Sequence, residues 1–170
     1  MNKFLIILIG NIASGKSTLA KELDDAGFLV VSSDSIRYML HPNEYKFKLH
    51  EEPIVYAIKI AAIKAIAKQG LSFVVDDAGN VFKRKRKIYV DIARKFGYEL
   101  IAVHMPHISK KEAVKRRLKN NHGGYDSKKW GEVYDMFKDN LELPTIEEGF
   151  NKIIDKEADK PLGGSYASKR

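Results

Sequence analysis

Short apolar runs along this chain alternate with longer stretches of helical spacing. Phe4–Ile9 is continuously apolar, the pattern of a parallel strand covered on both faces. Lys16–Asp25 reads as a helix stopped near Gly27, Phe28–Val31 as a short strand, and Asp34 to about Leu40 as a helical turn ended by His41-Pro42-Asn43. Pro53–Lys68 carries apolar residues on most of its circumference (Ile54, Ile58, Ala62, Ile66), which predicts a largely buried helix closed by Gly70. Leu71–Val75 is the next strand. A basic stretch from Lys83 opens a helix to Phe96, with Ile88, Ile92 and Phe96 on one face and Gly97 at its end. Tyr98–His104 is a fourth strand, and Ser109 has the place of an N-cap for a helix to about Asn120. Asn121–Gly124 is a flexible break. Lys129–Leu141 places Trp130, Val133, Tyr134, Phe137 and Leu141 at helical spacing, as core packing does, and Phe150–Ile154 fits a fifth short strand. No internal repeat or domain boundary interrupts residues 1–160, and the tail 161–170 has little to bury and is expected to be flexible. Strands separated by helices predict a three-layer α/β domain with a mostly parallel sheet of four to five strands.

The length of 170 residues, 44% of them hydrophobic, suits one domain with a proper core. The absence of cysteine excludes disulfide scaffolds, thiolate zinc sites and cysteine nucleophiles. Of the five histidines only His104 and His107 are close in sequence, weak grounds for a metal site. The Phe4–Ile9 run is too short for a signal peptide or a membrane span, so a cytoplasmic protein without membrane attachment is expected. The net charge of +8 is unevenly placed. Residues 83–119 hold thirteen basic and three acidic side chains, and within them lies the run Lys83, Arg84, Lys85, Arg86, Lys87. A solvated helix face and a surface for phosphates or nucleic acid both fit this run.

Gly10-Asn11-Ile12-Ala13-Ser14-Gly15-Lys16-Ser17 follows the first strand and opens the first helix. Residue types, spacing and context are those of a phosphate-binding loop. Small residues let backbone N–H groups converge on phosphate oxygens, and the helix N-terminus adds a favourable dipole. Gly10, Asn11, Ala13, Ser14, Gly15, Lys16, Ser17 and Thr18 are therefore the candidate nucleotide contacts. Lys16 is expected at the β- and γ-phosphates and the Ser17 hydroxyl at Mg²⁺.

Two further clusters lie at the strand ends that face a ligand crevice in a parallel sheet. Asp34 and Arg37 share a face of a helical turn. They suit a base for a substrate hydroxyl with a cation for a substrate phosphate, and equally an N-cap with a surface residue. Asp76-Asp77 ends the third strand; one of the two, Asp77 preferred, is expected to orient Mg²⁺, the alternative again being an N-cap. Lys115-Arg116-Arg117-Leu118-Lys119 lies in the helix before the Asn121–Gly124 break, where a basic lid could neutralise charge during phosphoryl transfer or simply face solvent.

In this order, the phosphate loop, the Asp34–Arg37 turn, Asp77 with Asn80 and the Lys115-Arg116-Arg117 helix resemble polynucleotide 5′-hydroxyl kinases, as found in the kinase module of bacteriophage and bacterial RNA-repair enzymes. Pro144–Phe150 is similar to a segment near the C-terminus of that wider group. The likeness spans about residues 3–155 and implies a three-layer P-loop kinase fold with a helical lid. It implies that Lys16 and Ser17 serve ATP and Mg²⁺, that Asp34 is the base on the 5′-hydroxyl, that Arg37 clamps a 3′-phosphate, and that Arg116 stabilises the transferring phosphate. The family's second lid arginine, four residues later, is replaced by Asn120, with Arg117 or Lys119 as candidates for its role, and no Asp-x-Asp-Gly-Thr phosphatase signature occurs. The expectation is ATP-dependent transfer to the 5′-hydroxyl end of DNA or RNA, with Lys83–Lys87 contacting the acceptor backbone. The alternatives are a small-molecule kinase acting on a nucleoside, nucleotide or antibiotic, and an ATP-dependent switch that transfers nothing.

Overall fold

The Phe4–Ile9 run forms strand β1, whose side chains pack alternately to the two faces of a sheet and are buried on both. In the computed structural model, which describes residues 2–120 and 123–157, four more strands join it: β2 (Leu29–Ser32), β3 (Phe73–Asp76), β4 (Glu99–His104) and β5 (Lys152–Asp155). Their order is β2-β3-β1-β4-β5, and every pairing is parallel. Six α-helices connect them: α1 (Lys16–Asp25), α2 (Ser33–Leu40), α3 (Glu52–Gln69), α4 (Lys83–Phe96), α5 (Lys110–Lys119) and α6 (Ser127–Asp139). This is the expected three-layer α/β architecture of a P-loop kinase.

Leu5, Ile7 and Ile9 point into the larger core with Ile60 and Ile63 of α3 and Tyr89, Val90 and Ile92 of α4. Ile6 and Leu8 point the other way, against Ala20 of α1 and Val103. A third cluster joins Ile12 of the Gly10–Ser17 loop to Ala113, Trp130 and Tyr134, so α5 and α6 pack on the loop itself. Trp130 and Tyr134 are thus core residues, as their spacing predicts.

The caps follow the sequence closely. Ser109 accepts from the Glu112 N–H at the start of α5, and Gly70 and Gly97 end α3 and α4 in left-handed conformations; the N-cap of α2 is instead Ser32, with Asp34, weighed for that place, inside the helix. Three 3-10 turns (Leu49–Glu51, Ala78–Val81, Ile146–Glu148) were not expected from periodicity, because runs of three or four residues carry almost no periodic signal.

One expectation needs correcting. The core-facing row of α3 is Val55, Lys59, Ile63 and Ala67, whereas Ile54 is 53% exposed. The buried row contains a lysine, so counting apolar residues selects its neighbour. The anticipated tail 161–170 and, within the anticipated break, Asn121 and His122 lie outside the described residues. Among the described residues no helix is long and apolar enough to cross a membrane.

Parallel register brings the chemistry to one edge. Ser32 pairs with Asp76, and Leu8 pairs with the same Asp76 across β3 and β1. The loop after β1, the start of α2 and the end of β3 therefore converge at the C-terminal ends of adjacent strands.

Candidate active site

Where β1 runs into the loop before α1, Gly10 has no space for a side chain. A Cβ on Gly10 would lie 2.8 Å from the Met105 Cβ and 2.9 Å from the Ser14 Oγ. Ala13 (φ 56°) and Gly15 (φ 97°) are left-handed, a conformation that turns successive N–H groups toward a common concavity. The Ser14 hydroxyl there is buried with no hydrogen-bond partner. Lys16 is 7% exposed, and its Nζ donates to the carbonyls of Gly10 (2.9 Å) and Asn11 (2.7 Å). Burial lowers its pKa to about 8; Asp76, Asp77 and Asp34 oppose that shift, and the Arg117 charge adds to it. A desolvated ammonium, an orphaned hydroxyl and inward-turned amides fit the phosphates of a nucleotide.

The Ser17 hydroxyl lies beside the Asp76 carboxylate. Burial raises the Asp76 pKa, offset by the Lys16 charge and by Ser17. Among the described residues no three His, Cys, Asp or Glu side chains group to hold a metal ion. Mg²⁺ needs no such cage, since it is commonly held by one or two protein oxygens plus phosphates and water, and Ser17 with Asp76 suits that donor set.

Asp77, the carboxylate preferred for Mg²⁺ from sequence, points elsewhere. It accepts from the Ser33 Oγ (2.7 Å), the Gly79 N–H (2.8 Å) and the Lys59 ammonium. Burial alone would raise its pKa, but Lys59, Ser33 and Gly79 hold it below the usual carboxylate value. The correction has a simple cause: successive residues at a strand end face opposite sides, so Asp76 and Asp77 cannot both turn toward Ser17.

On the acceptor side, Asp34 and Arg37 do meet, at 2.6 Å. Asp34 also accepts from the Tyr45 hydroxyl at 2.9 Å, and it lies near enough to Lys16 for their charges to interact. Its side chain is half exposed, whereas that of Arg37 is 12% exposed. Arg37 grips both oxygens of Glu52 (2.9 and 2.6 Å), donates to Tyr45 (3.3 Å) and lies over the Phe47 ring. Burial would lower its pKa, but Glu52, Tyr45 and Asp34 raise it above the ordinary value. Most of the guanidinium's donors are thus engaged, and a substrate phosphate could take the fork only by displacing Glu52.

In α5, Arg116 is exposed, pairs with Glu112 (2.7 Å) and reaches the Ala13 carbonyl (3.2 Å). Arg117 lies over the Trp130 ring at 5.0 Å. Its Nε is buried with no hydrogen-bond partner, and its charge acts on Lys16.

The basic run divides. Lys83, Arg84, Lys85 and Lys87 are exposed, but Arg86 is fully buried. It makes a two-pronged pair with Glu148 (2.8 and 2.6 Å) and donates to the carbonyls of Asn80, Val81 and Glu142. Arg86 is therefore a structural residue, contrary to its expected place on a nucleic-acid surface: on a helix only about one residue in four of a continuous run turns fully inward.

Sequence reasoning missed Glu52, Tyr45 and Lys59. Lys59 left a signal, an isolated charge inside an apolar helical stretch. Glu52 and Tyr45 left none, since their partner lies fifteen and eight residues away across a chain break.

A family model described as an AAA domain matches residues 5–144. A bifunctional polynucleotide phosphatase/kinase of Schizosaccharomyces pombe is 29% identical over 151 residues, covering 88% of this chain and 32% of that protein. A dephospho-CoA kinase of Bartonella henselae is 30% identical over 120 residues, covering 66% of this chain and 62% of that one. The chain thus spans about a third and under two thirds of these relatives' lengths. Among solved structures, one of the Pnkp1/Rnl/Hen1 RNA repair complex superposes with a TM-score of 0.63 at 19% identity, covering 99% of this chain and 53% of the other.

Proposed function

The chain belongs to the AAA domain family, as a P-loop kinase domain, and from that premise we propose that it transfers the γ-phosphate of ATP to the 5′-hydroxyl end of DNA or RNA. The observation that carries this reading is Asp34: a half-exposed carboxylate, held by Arg37 and Tyr45 and near enough to Lys16 for their charges to interact. A switch that only binds nucleotide has no need of it. The similarity to the S. pombe phosphatase/kinase, through a region covering most of this chain, supports a polynucleotide acceptor. So do the exposed Lys83, Arg84, Lys85 and Lys87, whose charges suit backbone phosphates.

The loop amides, Ser14 and Lys16 hold the triphosphate; Ser17 with Asp76 would hold Mg²⁺, which when bound would neutralise phosphate charge. Asp34 accepts the proton of the acceptor hydroxyl as its oxygen bonds to the γ-phosphorus; the bond from that phosphorus to the bridging oxygen breaks and ADP leaves. A cation of α5 neutralises charge on the transferring group. Asp34→Asn should abolish transfer while leaving ATP binding within about threefold of wild type; Lys16→Ala should weaken both. Near-normal turnover of Asp34→Asn at saturating acceptor would remove the base assignment.

A second reading is a small-molecule kinase. Two observations favour it: the Arg37 fork is filled by Glu52, and the Bartonella dephospho-CoA kinase is a relative at similar identity. Its activity would not depend on oligonucleotide length.

A further inference from the structure

Lys59 sits in the middle of α3, 6% exposed, in the row that faces the core. Its ammonium bonds the Asp77 Oδ2, the same oxygen that accepts the Ser33 hydroxyl at 2.7 Å. The other Asp77 oxygen accepts the Gly79 N–H. Ser33 is 5% exposed, and the side chains of Lys59 and Asp77 are 8% and 15% exposed, so the unit is mostly buried.

Its location gives it meaning. The β2–β3 ladder runs from Leu29↔Phe73 to Ser32↔Asp76 and stops there, because β2 bends into α2. Ser33 and Asp77 are the next residues on each chain. Their side-chain bond continues the pairing one step past the last backbone pair, and Lys59 ties that step to α3. The adjoining residues are Asp34 on one side and Asp76 on the other.

A buried ion pair is no general source of stability. Its desolvation cost often cancels the attraction, and an apolar pair of similar volume commonly serves as well. Geometry is a better reason for this one. The Ser33–Asp77 bond fixes where the chain leaves the sheet, and so where Asp34 stands relative to Asp76 and Lys16. The Lys59 charge also engages Asp77, which keeps a second carboxylate from swinging to the phosphate side beside Asp76.

The geometry points to Ser33, Asp77 and Lys59 as a positioning unit that sets the distance and direction from the acceptor-side carboxylate Asp34 to the nucleotide-side groups Asp76 and Lys16. This rests on the reading of Asp34 as acceptor base. None of the three is a catalytic residue.

The test uses the full chain and a 5′-hydroxyl oligonucleotide acceptor, with kcat, both KM values and the melting temperature measured for Ser33→Ala, Asp77→Asn and the double variant. Ser33→Ala removes one buried hydroxyl and should fold. Its kcat should fall about tenfold to a hundredfold, the scale of a small misplacement of a reacting group, with KM for ATP within about twofold. Adding Ser33→Ala to Asp77→Asn should cost little more than Asp77→Asn alone, because residues acting as one unit are non-additive. A Ser33→Ala kcat within twofold of wild type, or fully multiplicative losses in the double variant, would overturn the inference alone. No transfer by the wild-type chain to any acceptor would instead overturn the acceptor-base reading on which it rests.

Discussion

Replacing Arg86 by methionine removes the one member of the basic run that is not a surface charge. The substitution keeps most of the side chain's length and takes away its donors. Glu148, whose side chain is 4% exposed, loses a partner on both oxygens, and the carbonyls of Asn80, Val81 and Glu142 lose a donor. Breaking a buried pair by removing one side costs about 3–5 kcal/mol, chiefly because the remaining charge stays buried and uncompensated. For a chain of this size each kcal/mol moves the melting temperature by about 2–4 °C, so Arg86→Met should melt about 6–20 °C below wild type. Arg86→Met with Glu148→Met should recover part of that loss, since no lone charge then remains. Lys85→Met, one residue away but exposed, should change stability by no more than about 0.5 kcal/mol. Thermal and urea melts read all four proteins. A shift below about 2 °C for Arg86→Met would refute the placement of Arg86 in the interior.

Three other outcomes follow from the site. Lys16 has its pKa lowered to about 8 when unliganded, with burial as the main cause, and bound phosphates should raise it. ATP or ADP affinity should therefore be flat below pH 8 and weaken as pH rises above it, by up to tenfold per unit; calorimetric titration of wild type against Lys16→Ala, which should lose this dependence, checks it. In α5, the buried Arg117 Nε has no hydrogen-bond partner and its charge acts on Lys16, so Arg117→Ala should cut turnover about a hundredfold, as for loss of one charge-stabilising donor, with Arg116→Ala costing under about tenfold; the reverse order in steady-state kinetics would favour Arg116, the residue that the resemblance implies. Glu52→Gln weakens the grip on Arg37, so it should lower the KM of a 3′-phosphorylated acceptor relative to its 3′-hydroxyl counterpart, and an unchanged ratio would show that Arg37 does not exchange Glu52 for substrate phosphate.

Much of the architecture was legible because it rests on short-range physics. The apolar strand, the glycine loop and the caps at Ser109, Gly70 and Gly97 each declare themselves within a few residues. The site was legible only as far as identity and spacing reach. Gly10–Ser17 could be read outright, and Asp34 with Arg37 could be paired because three residues on a helix share a face. Direction was harder to read. Asp76 and Asp77, Arg116 and Arg117, and Lys85 and Arg86 are each adjacent in sequence, and adjacent residues diverge by about 180° on a strand or 100° on a helix. Only the tertiary partner decides which of each pair faces the site, and Lys59, Trp130 and Glu148 are far away in sequence. Lys59 also hid the buried row of α3, since a charge neutralised in the interior looks polar to any count of apolar residues.

The most direct measurement is transfer of labelled γ-phosphate from ATP to a matched panel: mononucleosides, 3′-mononucleotides, dephospho-CoA, and oligonucleotides of increasing length with 5′-hydroxyl ends. The proposed function predicts label on the 5′ end of oligonucleotides, with kcat/KM rising with length and that rise lost when Lys83, Arg84, Lys85 and Lys87 are neutralised or salt is raised. Equal transfer to acceptors regardless of length, or transfer confined to a small molecule of the panel, would contradict it.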